Sequence, residues 1–281
     1  MIIDFHTHIV PPRVKERRSD YSRADAGFAA IYSDPKAKVA TADDLVAAMD
    51  KDGVDVAVAL NYGWRTPALC AEINDYIIES MARFPGRLVG FCTVPFGSPD
   101  GGLKELERCL RGGVRGVGEI RPDLLPAGRM IEALRPVAEF CAKNGLILLT
   151  HSSEPLGHQY SGKGKATPSL VFSVAAAFPD LKLVCAHWGG GLPFYALMPE
   201  VKEALKNVWF DTAASPFLYR PEIYARVAGF VGEEKVLFGS DYPLIAHRRY
   251  LKEINGTGLP DETKAKILWS NAAGLLGISA R

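Results

Sequence analysis

Ile2-Ile3-Asp4-Phe5-His6, running on into Thr7-His8, is a short apolar run that closes on two histidines one residue apart. Comparable runs recur along the chain at Val54–Leu60, Leu88–Val94, Val114–Ile120, Leu146–His151, Leu181–His187, Val208–Thr212 and Val236–Asp241. Their hydrophobicity is nearly continuous instead of alternating, the pattern of strands covered on both faces. Longer stretches with helical spacing separate them. Eight such strands alternating with helices predict an α/β fold, a (β/α)8 TIM barrel forming a single domain over residues 1–281.

The helices carry local signals. Thr41 before Ala42-Asp43-Asp44 offers a hydroxyl cap and an acidic first turn; Leu45, Val46 and Met49 follow as an apolar stripe, and Gly53 ends it. Leu103, Leu106 and Leu110 repeat the pattern up to Gly112-Gly113, and Met130, Leu134, Val137 and Cys141 repeat it up to Asn144-Gly145. Glu262–Leu276 reads as one or two outer helices. Val10–Ala40 and Ser152–Pro168 are longer than a barrel requires, and both lie on the side where the strands end, where substrate contacts concentrate. The first holds the basic cluster Arg13, Lys15, Arg17 and Arg18, read as a solvated arm.

Composition removes several function classes. The 281 residues carry 33 Lys plus Arg against 32 Asp plus Glu, a net charge of +1, so there is no electrostatic case for a nucleic-acid or membrane-surface partner. No apolar stretch approaches the roughly 20 residues needed to cross a bilayer. The N-terminus shows no basic leader or signal-peptide core, and a cytoplasmic location is expected. Cys70, Cys92, Cys109, Cys141 and Cys185 are scattered, with neither a disulfide framework nor a Cys-x-x-Cys clip.

The chemistry gathers at the C-terminal ends of the runs. The first ends in His6-Thr7-His8, the fourth in Glu119-Ile120-Arg121, the fifth in His151, the sixth in His187, the seventh in Asp211 and the eighth in Asp241. Residues i and i+2 of a strand share a side, so His6 and His8 project together. Two imidazoles converging at a barrel mouth make half a metal site, and His151 and Asp241 can supply the rest. A divalent ion with an open position lowers the pKa of bound water towards 7; Asp241 could accept its proton, and His187 could take a proton or polarise a substrate oxygen. Asp4 reads as an imidazole partner or a strand-end cap. Gly189-Gly190-Gly191 reads as amide donors or a tight turn into a helix, and lacks the spacing of a dinucleotide fingerprint. His247 reads as an exposed or capping residue at the start of the eighth helix.

His6-Thr7-His8, His151, Cys185-Ala186-His187-Trp188-Gly189-Gly190-Gly191 and Phe238-Gly239-Ser240-Asp241-Tyr242-Pro243 resemble the amidohydrolase superfamily. Within it they resemble the amidohydrolase 2 subgroup, which contains aminocarboxymuconate-semialdehyde decarboxylase. Ser270-Asn271-Ala272-Ala273 extends the resemblance to about Gly277. The resemblance implies a distorted eight-stranded barrel with one divalent metal ion at its mouth, commonly zinc, with manganese, cobalt or iron as alternatives. It places His6, His8, His151 and Asp241 around that ion. It makes His187 the strand-six histidine, which acts on water or substrate, or binds a second metal in binuclear relatives. It also implies a homodimer. The fourth strand departs from the pattern: Glu119 replaces the lysine whose carbamate bridges two metals, and Glu119 could ligate a second ion or pair with Arg121.

The leading expectation is a metal-dependent hydrolase acting on a small ester, lactone or amide through metal-activated water, with His187 and Asp241 catalytic. The alternative is a carbon lyase, a metal-dependent non-oxidative decarboxylase or hydratase of a small unsaturated or aromatic acid. A barrel that binds without turnover is the third reading. Arg121, Arg248 or Lys163 could anchor a substrate carboxylate, and His158 and Tyr160 lie on the long loop after the fifth run.

Overall fold

The computed structural model describes residues 1–96, 99–126 and 128–279. All eight runs are strands: β1 (Ile3–His8), β2 (Val56–Leu60), β3 (Leu88–Cys92), β4 (Gly116–Ile120), β5 (Ile147–Thr150), β6 (Lys182–Cys185), β7 (Val208–Asp211) and β8 (Val236–Leu237). Each pairs in parallel with the next in sequence. The β8–β1 seam has no regular ladder. It closes through Phe5 N to Phe238 O at 2.7 Å, Asp241 N to His6 O at 2.9 Å and His8 N to Tyr242 O at 2.7 Å. The result is a distorted, nearly closed eight-stranded parallel barrel.

Side-chain packing follows from the strands' position between two layers. Ile3, Phe5, Val58, Leu60, Phe91, Leu149, Val184 and Leu237 fill the lumen, while Ala57, Ala59, Val117, Leu148, Leu183 and Cys185 face the helical jacket. The C-terminal stretch differs from the outer helices expected of it. Asp261–Ala265 continues through the wider turn Lys266–Ser270 into Asn271–Leu276, whose Ala272, Ala273 and Leu276 join the lumen cluster.

The predicted caps are present. Thr41 and Asp44 form a reciprocal capping box on Ala42–Asp52, and Gly53 ends that helix at φ 75°. Gly145 does the same for Met130–Asn144 at φ 67°. The Val10–Ala40 connection is not open loop; it folds into the short helices Pro12–Glu16, Arg18–Ala24 and Ala26–Tyr32. All five cysteines are buried and free. Among the described residues, no helix is long and apolar enough to cross a membrane.

Two irregularities aim the site. The pairing register shifts between Asp4 and Thr7 on β1 and between Val117 and Ile120 on β4. Such bulges break strict alternation and re-aim side chains. On β1, Phe5 packs in the lumen and His6 follows it inward; on β4, Glu119 enters the lumen mouth between the jacket-facing residues Val117 and Ile120. Gly118 makes this path possible, since a Cβ there would lie 2.7 Å from the carbonyl oxygen of Leu149.

Candidate metal centre

Four imidazoles and two carboxylates converge at the strand ends. His6 Nε2 and His8 Nε2 face each other at 3.0 Å. Asp241 Oδ1 lies 3.2 Å from His8 Nε2 and 3.8 Å from His6 Nε2, and Glu119 Oε2 lies 3.7 and 3.8 Å from the same atoms. The other oxygen of Glu119 is 2.8 Å from His151 Nδ1 and 3.4 Å from His187 Nε2. Ligand atoms of His6, His8 and Glu119 all lie within 4.8 Å of one another, as do those of Glu119, His151 and His187. Glu119 is therefore common to both groups. The pairing of Glu119 with Arg121 does not form: Arg121 lies beyond the end of β4 and makes a double hydrogen bond to Asp123 at 2.9 and 3.0 Å. Both side chains line the cavity described below, but Asp123, two residues further on, takes the guanidinium.

The backbone presenting these groups is unusual. His187 (φ 55°), Trp188 (57°), Gly189 (60°), Gly190 (61°) and Gly191 (97°) form a left-handed turn, not the expected entry into an ordinary helix. A Cβ on Gly190 would sit 2.5 Å from Ser153 O, so glycine lets this turn meet the loop after β5. Asp241 is also left-handed at φ 60°. Positive φ at two non-glycine residues of one site is the backbone strain that functional sites store.

Polar contacts orient the rings. His6 Nδ1 donates to Asp211 Oδ2 at 2.8 Å, His151 Nε2 bonds Ser153 Oγ at 2.9 Å, and His187 Nδ1 donates to Ala213 O at 3.1 Å. Asp4 acts as a strand-end cap, its Oδ1 accepting from His6 N and Ser240 N at 3.0 and 2.9 Å. The sequence reading of His247 is corrected. It starts the helix His247–Gly256 but is fully buried, stacked on Tyr242, with Nε2 3.1 Å from Asp4 Oδ2. Tyr242 and Asp4 enclose the ring at the β8–β1 seam.

Electrostatics favour a cation here. Burial opposes charge on His6, but Asp211, Glu119 and Asp241 outweigh it and raise its pKa to about 9. His187 is raised to about 10 against burial, by Glu119, Asp241 and Asp211. Burial lowers His151, although Glu119 opposes this. Burial would raise Glu119 and Asp241, yet the surrounding imidazoles hold the first well below the carboxylate range and the second at about 2. Electron-rich atoms face one another around a point that wants positive charge, and His/carboxylate donors suit a divalent metal. The donor set fits.

A cavity of about 510 Å³ opens over the cluster, reached by His8, Glu119, His151, His187 and Asp241. Ile31, Tyr32, Tyr62, Phe217, Leu218 and Pro243 give it an apolar, partly aromatic wall. Arg121, His158 and Tyr160 line it as expected; Lys163 and Arg248 do not. Lys163 donates to the carbonyls of Leu156 and His158, and Arg248 lies near Asp52. Lys36 and Lys38, which do line it, were missed. Arg13, Lys15 and Arg17 of the same connection make exposed pairs with Glu72, Asp44 and Asp20, as a solvated arm does. The available signal was that the loop must return over the mouth just before the Thr41 cap. A larger hollow, about 830 Å³, opens at the opposite end of the barrel beside Met1, Asp55 and Arg87, and none of the site residues reaches it.

A sequence profile of the family described as Amidohydrolase matches residues 3–278. Among curated proteins, 2-amino-3-carboxymuconate-6-semialdehyde decarboxylase of Dictyostelium discoideum is 24% identical over 98% of this chain and 91% of its own length. Among solved structures, 5-carboxyvanillate decarboxylase LigW of Sphingomonas paucimobilis superposes with a TM-score of 0.78 at 19% identity, over 99% of both chains. The 5-carboxyvanillate decarboxylase of Novosphingobium aromaticivorans, complexed with manganese, gives 0.79 at 17% identity, over 99% of this chain and 96% of that one. These superpositions bear on the barrel alone. The expectation of a hydrolase is overturned by the curated relatives: with gamma-resorcylate and 6-methylsalicylic acid decarboxylases among the others, those found are decarboxylases.

Proposed function

The chain belongs to the amidohydrolase family, and from that premise we propose that it is a metal-dependent non-oxidative decarboxylase of a small aromatic or unsaturated carboxylic acid. The observation that carries the reading is His187: a buried imidazole, its Nε2 3.4 Å from Glu119 Oε1, stands beside a metal-ligand cluster, at a cavity with an aromatic wall. Decarboxylation needs a proton delivered to carbon where the carboxylate leaves, and His187 can hold one there. His6, His8, His151 and Asp241 would hold the divalent ion, with Glu119 between the histidine pairs. The ion, when bound, attracts the substrate's oxygens and offsets their charge.

The protein's own groups do the rest. Tyr32, Tyr62 and Phe217 exclude water and orient a flat apolar body. Lys36 and Lys38 add positive charge at the cavity wall. His187 donates Nδ1–H to Ala213 O, which leaves Nε2 pointing into the cluster. The proton on Nε2 passes to the substrate carbon as the bond to the carboxylate breaks. The bonding pair stays on that carbon, and carbon dioxide leaves. Manganese, present in relatives of this fold, is the ion to test first, with zinc beside it.

The test is a panel of hydroxybenzoic and unsaturated dicarboxylic acids incubated in D2O with Mn2+-loaded or Zn2+-loaded protein. The expected result is carbon dioxide release with one deuterium at the vacated carbon. Metal-loaded protein that releases none from any acid would sink the reading.

A further inference from the structure

We propose that Asp211 is a positioning residue: its carboxylate sets which nitrogen of His6 faces the metal cluster and simultaneously holds the turn that presents His187. The inference rests on the metal-dependent reading above and concerns a residue in neither the ligand set nor the proton-transfer step.

Asp211 is the last residue of β7 and is completely buried. Oδ2 accepts from His6 Nδ1 at 2.8 Å. Oδ1 accepts from the backbone N–H groups of His187 at 2.9 Å and Ala213 at 3.0 Å. Three donors from three parts of the chain therefore meet one carboxylate. The Oδ1 contacts explain a turn. They do not explain why Oδ2 reaches across the barrel to β1.

The consequence of that reach is tautomeric. With Nδ1–H committed to Asp211, Nε2 is the lone-pair nitrogen of neutral His6, and Nε2 is the atom that faces His8, Glu119 and Asp241. A carboxylate on the far nitrogen of a ligating imidazole also raises its basicity as a ligand. Through Oδ1 the same side chain braces His187 at φ 55°, a conformation a non-glycine residue does not hold unaided. Ligand orientation and proton-donor orientation are thus set by one group.

Asparagine cannot replace it. An amide has one acceptor oxygen and one NH2 group, whereas donors approach both oxygens of Asp211. Whichever way the amide turns, its hydrogens meet either His6 Nδ1–H or the N–H pair of His187 and Ala213.

The experiment measures Zn2+ and Mn2+ affinity of wild type and Asp211→Asn by calorimetry against a competing chelator. A second arm records long-range 1H–15N correlations of the imidazoles in Zn2+-loaded wild type. We expect D211N to bind roughly 10–100-fold more weakly, and His6 in the wild type to be protonated at Nδ1. A variant that melts earlier but keeps wild-type affinity overturns the proposal, as does a bare His6 Nδ1. If D211N does not fold, the imidazole spectrum decides alone. A wild type that takes up neither ion removes the metal reading and this inference with it. Tight wild-type binding matched by D211N removes the inference alone.

Discussion

Glu119 carries two opposing demands in one side chain, because each oxygen faces a different pair of histidines. Replacing it with glutamine puts amide hydrogens against imidazole nitrogens and removes a negative charge from a buried site. Glu119→Gln should weaken Mn2+ affinity by at least about tenfold, read by calorimetry, with the fold intact by circular dichroism. His187→Asn separates holding metal from moving a proton. It should keep stoichiometric metal while kcat for carbon dioxide release falls by roughly 10²–10⁴-fold. The pH dependence of the metal-free protein has a definite sign. His6 and His187 have folded pKa values of about 9 and about 10 against 6.5, so their contribution is fully present below pH 6.5 and disappears as pH rises through those values. The melting temperature of chelated protein should therefore fall across that window, and fall less in loaded protein, where the cation supplies the charge. At this scale the histidines and Asp241 were legible from strand-end position. Glu119 was left between ligating an ion and pairing with Arg121, because the competition of Asp123 for that guanidinium leaves no mark in the hydrophobic pattern.

Elements built from local signals appear where their signals stand. The Thr41–Asp44 box and Gly53 delimit Ala42–Asp52 because caps satisfy orphan backbone groups without help from distant chain. Thr41→Ala should accordingly cost about 1 kcal/mol in denaturant unfolding and leave carbon dioxide release unchanged. The left-handed turn from His187 to Gly191 is of another kind. Its glycines were visible, but its hand depends on Ser153, in the loop after β5, and Asp211, at the end of β7, packing against it. Gly190→Ala places a methyl 2.5 Å from Ser153 O in a left-handed conformation, which alone costs roughly 1–2 kcal/mol. Its melting temperature should drop by more than that of T41A, and its kcat should fall as His187 shifts. Equal stability and activity in G190A would show that the turn tolerates a side chain. The three short helices in Val10–Ala40 escaped the sequence reading because only Val14 and Phe28 of their residues are buried, leaving little apolar periodicity to detect.

Across the whole molecule, groups near both ends of the sequence meet at one point, and the β8–β1 seam beside them has only scattered hydrogen bonds. A cation bound by residues of β1, β5 and the end of β8 would cross-link that seam. Chelation should lower the melting temperature, and added Mn2+ or Zn2+ should restore it in proportion to the logarithm of its concentration. The sequence by itself determined the barrel and the strand-end address of the clustered histidines and carboxylates, because strand periodicity, caps and residue chemistry are local properties. Only the tertiary structure decided that Glu119 turns to the histidines while Arg121 turns to Asp123, that His247 is buried beside Asp4, and that Lys36 and Lys38 reach the cavity. Those outcomes depend on strand irregularity, seam packing and loop return, which arise from contacts between particular side chains and elements and have no period to read.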